Sequence, residues 1–212
     1  FEKEDLDAVS ITTWNSAHKP IAIDALRAGL NVLCEKPMAL NTAEALEMER
    51  AANETGKLLQ IGFVRRFEST SEVIRNFYTG GTLGDVYYAK AQYLRRNGCP
   101  GGWFGDKSFS GGGPLIDLGV HVIDLVRYLT GRPMPVSVYG YTFDNLGRNR
   151  AKHNIPKGGY KRDYEFAGKF DFRYTVEDFA GADIRFDNGL VLHVEASFNL
   201  NLKDNVGKIE LF

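Results

Sequence analysis

Residues 6–34, LDAVSITTWNSAHKPIAIDALRAGLNVLC, decide the fold class. Leu6–Thr12 is β-prone and apolar and reads as a strand. His18–Ala28 places Ile21, Ala22, Ala25 and Leu26 on one face of a helix, and Gly29 supplies its stop. Asn31–Cys34 reads as a second short strand. Working outward, Asn41-Thr42-Ala43-Glu44 resembles a capping box with Asn in place of Ser or Thr. The helix it opens runs to about Thr55, where Gly56 ends it. Leu58–Phe63 is an apolar strand. Strands and helices alternating with short links specify a parallel sheet with crossover helices.

The grammar changes near residue 64. Ser71–Tyr78 reads as a helix, followed by Gly80, Gly81 and Gly84, and Val86–Arg95 as a long strand. Asn97–Gly113 is glycine-rich and irregular. Leu115–Leu129 is an amphipathic helix with Leu118, Val122, Leu125, Val126 and Leu129 on one face. Pro135–Thr142 is β-prone, and Asp144–Phe170 reads as a long polar, basic and aromatic loop or insertion. Ala180–Phe186 and Leu190–Asn199 flank Asp187-Asn188-Gly189, a hairpin signal. The expected fold is therefore α/β plus α+β. Residues 1–64 form half of an α/β domain with a parallel sheet. Residues 65–212 form a domain with an open, mainly antiparallel sheet.

The 212 residues carry a formal net charge of −1, with 43% hydrophobic and 25% charged residues. Such a balance gives no electrostatic case for nucleic acid or an anionic membrane surface. No apolar run approaches the length needed to span a bilayer. The start, Phe1-Glu2-Lys3-Glu4-Asp5, is acidic and polar and does not read as a signal peptide. Cys34 and Cys99 are the only cysteines. Neither lies in a CxxC, and reduced thiols in the cytoplasm are expected.

Three ordered segments carry a resemblance: Asp7–His18, Glu35-Lys36-Pro37, and Gly111-Gly112-Gly113-Pro114-Leu115-Ile116-Asp117-Leu118-Gly119-Val120-His121. Together they resemble the oxidoreductase family that includes glucose–fructose oxidoreductase and inositol dehydrogenase, and Gly62–Phe67 resembles its entry into the second domain. The likeness covers nearly the whole chain. It implies that residues 1–64 are the C-terminal half of a dinucleotide-binding Rossmann fold, with NAD or NADP as cofactor, a small polyol or sugar as substrate, and a homo-oligomer, dimer or tetramer, built on the exposed sheet face. The family's GxGxxG phosphate loop does not occur in this sequence. It is expected before residue 1, in a longer parent that also continues beyond residue 212; these residues alone should bind dinucleotide poorly. The family's usual Thr-Pro-Asn is here Thr13-Trp14-Asn15, so Trp14 can reshape the surroundings of the cofactor.

The resemblance marks Thr13, Trp14, Asn15, His18, Glu35, Lys36 and Pro37 as cofactor-side residues. Asn15 is also a candidate helix N-cap, and His18 and Glu35 also read as surface residues. Lys36 follows a buried strand, where open α/β sheets place ligands, and Pro37 keeps it out of helical geometry. An ammonium there stabilises the alkoxide that develops as hydride leaves, and depresses the pKa of a neighbouring histidine. Asp117 and His121 stand four apart on the expected helix and share a face, with Asp124 continuing the stripe. Alcohol oxidation needs a base, and imidazole titrates near neutrality. His121 is assigned that role, with Asp117 orienting a hydroxyl or tuning the histidine. The alternative is a helix salt bridge worth roughly 0.2–0.5 kcal/mol. The amides of Gly111–Gly113 are candidates to meet substrate oxygens, and Arg65 either faces substrate or is solvated.

The basic loop Arg148–His153 is either a phosphate contact or a solvated loop. His193 and Glu195 alternate on one strand face. No closely spaced ligand set accompanies them, so no metal is expected. Trp103, Tyr93 and Tyr160 either stack on a sugar ring or pack in the core. Two other functions fit the same motifs: a glycosidase or lyase that uses NAD transiently, and a non-catalytic dinucleotide-binding regulator.

Overall fold

The computed structural model describes residues 5–96, 99–145 and 174–212. The chain divides into two units, Phe1–Phe63 with Ser108–Gly111, and Val64–Lys107 with Gly112–Phe212. In the first, β1 (Ala8–Ile11), β2 (Asn31–Cys34) and β3 (Leu59–Ile61) form a parallel sheet in that order. Val9 pairs with Val32, and Cys34 with both Ile11 and Ile61. Helix α1 (His18–Arg27) and helix α2 (Thr42–Thr55) supply the crossovers. The α1 stripe Ala22, Ala25 and Leu26 is buried with Ile11, Val32, Cys34, Met48 and Ala51 in one cluster.

The punctuation residues act as their chemistry requires. Asn41 Oδ1 accepts the Glu44 amide at 3.0 Å, and Glu44 Oε2 accepts the Leu40 amide at 3.2 Å. The reciprocal bond thus reaches one residue further back than in a standard capping box. Gly56 closes α2 in the left-handed region. β3 is shorter than expected: Phe63 N–H donates to Ile61 O, and the chain coils into a 3₁₀ turn at Val64–Phe67.

The second unit holds α3 (Ser69–Thr79) and β4 (Tyr88–Leu94). The one-turn helix α4 (Lys107–Ser110) follows; its residues from Ser108 onward belong to the first unit. Then come α5 (Val120–Leu129), β5 (Pro135–Phe143), β6 (Phe179–Phe186), β7 (Val191–Ser197) and β8 (Val206–Leu211). The sheet order is β5-β6-β7-β4-β8. It is mixed: β4 and β7 run parallel, and the other pairs are antiparallel. The β6–β7 hairpin turns as its sequence indicates, with Gly189 at φ +88°. Phe186 O accepts the Gly189 amide, and Asn188 Oδ1 accepts the Leu190 amide.

The expected continuous helix over Leu115–Leu129 is corrected. Leu115–Gly119 is a π turn, and the α-helical hydrogen bonding begins at Val120. The shared-face argument for Asp117 and His121 rests on a 3.6-residue period, which the π turn interrupts. A second correction concerns apolar length. Lys107–Leu129 is long and apolar enough, by length and composition, to cross a membrane. Its apolar stripe is instead occupied by protein: Val122 and Val126 are buried against Ala89, Ala91, Leu192 and Val194 of the sheet. The basic loop 148–153, Tyr160 and most of the Asp144–Phe170 segment lie outside the described residues.

Leu192 has no exposed surface and sits at the centre of this core. Leu192→Ala is expected to destabilise the fold by about 3 kcal/mol, read by chemical denaturation.

Candidate functional site

Parallel neighbours β1 and β2 both end at the same edge of the first unit, so the turns after them are brought together. Thr13 is exposed, and Glu35 and Lys36 are half-buried. Glu35 Oε2 accepts the Lys36 amide at 3.2 Å, and the Lys36–Pro37 peptide is cis. His18 is fully buried. Its Nδ1 lies 2.8 Å from Pro37 O and its Nε2 lies 3.3 Å from Thr13 O. A neutral imidazole has one N–H, and the shorter distance assigns it to Nδ1, donating to Pro37 O. His18 is therefore not a surface residue: it braces the turn that carries Lys36.

Asn15 is likewise corrected. It does not cap α1, which starts from Ala17 without a side-chain cap. It is buried, and its Nδ2 donates to Ser110 O at 2.7 Å. Trp14 packs edge-on against Phe109, ring centroids 5.4 Å apart. Both residues bind the short 108–111 segment to the first unit.

The residues at these two turns fit a dinucleotide in part. Carboxyl ends of parallel strands are where open α/β sheets take such ligands. Thr13, Glu35 and Lys36 have polar groups on accessible surface there, while Asn15 and His18 serve the protein's own backbone. Below them, burial first and the Glu35 charge second push the Cys34 thiol from 9.0 up to about 12.

In the second unit, Asp117 and His121 are half-buried on the π turn and the first turn of α5. Such turns recur at functional sites. Asp124 does not continue a free polar stripe. Arg66 Nε donates to its Oδ2 at 2.8 Å, and Arg66 Nη2 makes a second, shorter contact with its Oδ1. The hydrogen bond to Asp124 is the largest cause holding the Arg66 pKa above its ordinary value. The glycine run has a steric role that the sequence reading did not anticipate. A Cβ on Gly113 would stand 2.1 Å from Glu177 O, and one on Gly112 2.8 Å from Ile116 Cγ1. Glu177 also lines a polar recess of about 300 Å³ with Lys107, Thr142, Asp144 and Thr175. No local pattern marks Glu177, because its partner is distant in sequence.

Arg65 is half-buried, with its Cζ 4.8 Å from the Tyr93 ring centroid. Tyr93 itself packs against the core. Trp103 stacks on Phe104 at 3.9 Å. His193 and Glu195 do share a face: His193 Nδ1 is 2.7 Å from Asp183 Oδ1, and Gln92 donates to Glu195 at 2.6 Å.

Residues 1–63 match the model of an oxidoreductase family with an NAD-binding Rossmann fold, and residues 72–211 match the GFO/IDH/MocA C-terminal domain. The chain is 37% identical over 200 residues to D-glucoside 3-dehydrogenase of Escherichia coli, covering 93% of this chain and 54% of that protein. It is 33% identical to scyllo-inositol 2-dehydrogenase (NAD(+)) of Bacillus subtilis, covering 93% of this chain and 50% of that one. Among solved structures, levoglucosan dehydrogenase in complex with NADH and levoglucosan superposes with a TM-score of 0.76. The two are 30% identical, over 98% of this chain and 52% of that one. An oxidoreductase domain protein from Kribbella flavida gives a TM-score of 0.80 at 30% identity, over 99% of this chain and 53% of that one. The chain spans about half the length of the curated relatives it matches.

Two outcomes follow from this geometry. Gly113→Ala, with backbone in the way of its Cβ, is expected to cost more than about 3 kcal/mol or to prevent folding, against near-neutral cost for Gly207→Ala. A thiol whose folded pKa is raised keeps its proton when the unfolded chain has lost it. Stability linked to Cys34 is therefore complete below about pH 9 and is lost as pH rises toward about 12. Between about pH 9 and 11, wild type should lose up to about 1.4 kcal/mol per pH unit relative to Cys34→Ala, measured by urea unfolding.

Proposed function

Because the chain belongs to the GFO/IDH/MocA oxidoreductase family, we propose that the protein transfers a hydride between NAD or NADP and a secondary alcohol of a sugar, sugar derivative or cyclitol. The observation that carries this reading is the braced turn after β2. There His18 fixes the Pro37 carbonyl and so sets Lys36 at the carboxyl end of a parallel sheet. An ammonium placed where ligands of such sheets bind serves oxygen chemistry. The names of the relatives, a glucoside dehydrogenase and an inositol dehydrogenase, support the substrate class.

Lys36 stabilises the alcohol oxygen as it becomes an alkoxide, His121 takes the hydroxyl proton, and Asp117 orients that hydroxyl or the imidazole. Arg65 and Asp117 hold further substrate oxygens. Thr13, Trp14, Glu35, Lys36 and Pro37 form the cofactor side, with Asn15 and His18 as positioning residues. Bound nicotinamide would supply the hydride acceptor. The sheet face bearing Tyr139, Tyr141, Phe143 and His193 is the surface for a homo-oligomer, dimer or tetramer. Cys34 and Cys99, both buried and outside any disulfide among the described residues, accord with a cytoplasmic location.

In the protein at its full natural length, His121→Ala is expected to lower kcat by about 10²- to 10⁴-fold while leaving cofactor Kd unchanged. Stopped-flow and equilibrium titration of NADH fluorescence read the two quantities. An unchanged kcat removes His121 from the mechanism. Net NADH production with a free polyol separates this reaction from transient oxidation by a glycosidase or lyase.

A further inference from the structure

Glu177 stands two residues before β6, where the chain meets the glycine run of the second unit. Its carbonyl oxygen lies against Gly113, and its carboxyl group lies over the same backbone. Glu177 Cδ is 2.9 Å from the place a Gly113 Cβ would take, and Oε1 is 3.8 Å from that of a Gly112 Cβ. Gly113 O in turn accepts the Asp117 amide at 3.1 Å. The carboxylate therefore borders the entry to the π turn that bears the candidate substrate residues. It is half-buried, and among the described residues it makes no hydrogen bond or ion pair.

Glu177 also lines the polar recess of about 300 Å³ that it shares with Lys107, Thr142, Asp144 and Thr175. Tied backbone builds that recess. Lys107 N–H donates to Thr175 Oγ1 at 2.9 Å, and Thr175 N–H donates to Gly105 O at 2.8 Å. Asp178 N–H donates to Phe143 O at 2.8 Å. With its oxygen engaged by an amide, the Thr175 hydroxyl keeps its proton to donate elsewhere. The Lys107 ammonium has no ion pair among the described residues. The walls thus offer donors from Lys107 and Thr175 and an acceptor pair from Glu177.

A ligand with a net charge of either sign meets a like charge on one wall. A polyhydroxylated ring meets neither difficulty, since each hydroxyl both donates and accepts. A volume of about 300 Å³ is at the small end of ligand sites and suits one such ring. That ring is not the one oxidised. From Gly113 to His121 the chain rises about 12 Å at helical spacing, farther than a single six-membered ring reaches. The backward lean of a helical side chain recovers only part of that distance.

We infer that the recess is a subsite for a second sugar ring, so that the substrate is a two-ring glycoside oxidised on the ring beside His121. This rests on the hydride-transfer reading above and narrows its substrate class. Glu177, Lys107 and Thr175 set the specificity and take no part in the transfer.

The test uses the full-length protein with cellobiose, maltose and trehalose against glucose, methyl glucoside and myo-inositol. Initial rates of NAD(P)⁺ reduction are read beside calorimetric binding of each compound. At least one disaccharide should exceed every one-ring compound about 10-fold or more in kcat/KM. Glu177→Gln keeps the shape and removes the charge, and Lys107→Met removes the ammonium. Each should raise KM for that disaccharide about 10-fold with kcat within about threefold, and so collapse the ratio. A one-ring compound equal to the best disaccharide, or a ratio that neither substitution lowers, overturns the subsite and leaves hydride transfer standing. No reduction with any compound overturns hydride transfer. Disaccharide binding that either substitution weakens about 10-fold would then still support the subsite. Binding indifferent to both, or no binding, would overturn it too.

Discussion

Gly113 meets the carbonyl of Glu177 so closely that no side chain fits between them. That approach sets where the chain enters the π turn, and the turn sets Asp117. The same economy of volume recurs one turn later, where a Cβ on Gly119 would stand 2.8 Å from Leu115 Cδ1 and 3.5 Å from Ala196 Cβ. Two glycines thus let a polar-edged helix lie close against a sheet of small residues, Ala89, Ala91 and Ala196. With larger residues there, Leu118, Val122 and Val126 would stand off the sheet, and dispersion contacts fall steeply with such a gap. Position of the candidate base is in this sense a consequence of backbone clearance.

Polar groups in the same unit show how burial and pairing decide availability. Arg65 and Arg66 are adjacent in sequence and each lies over a tyrosine ring, but Arg66 is also forked onto Asp124. The Asp124 carboxylate is thereby engaged within the protein by the Arg66 fork. His193, for its part, is engaged by Asp183 on the open sheet face.

The sheets and helices were legible because their causes are local. Asn41 and Gly56 bound α2, Gly29 stops α1, and Asp187-Asn188-Gly189 turns a hairpin, all through interactions within a few residues. The candidate site was legible only as residue types in order. What escaped the sequence reading is non-local. The parallel pairing of β4 with β7 joins strands separated by most of the second unit. The π turn replaces helical period with a packing requirement, and the partner of Asn15 is the carbonyl of Ser110. His18 was misjudged because a polar residue in a first helical turn usually faces water. The Pro37 carbonyl oxygen within reach of its ring reverses that expectation, since it replaces a hydrogen bond that burial removes.

That reversal explains how the lysine can be placed at all. A lysine side chain has four rotatable carbons, so its position depends on the backbone beneath it. The backbone here is pinned from one side by a buried imidazole against Pro37 O and from the other by Glu35 against the Lys36 amide. Beneath both lies a thiol that burial keeps neutral.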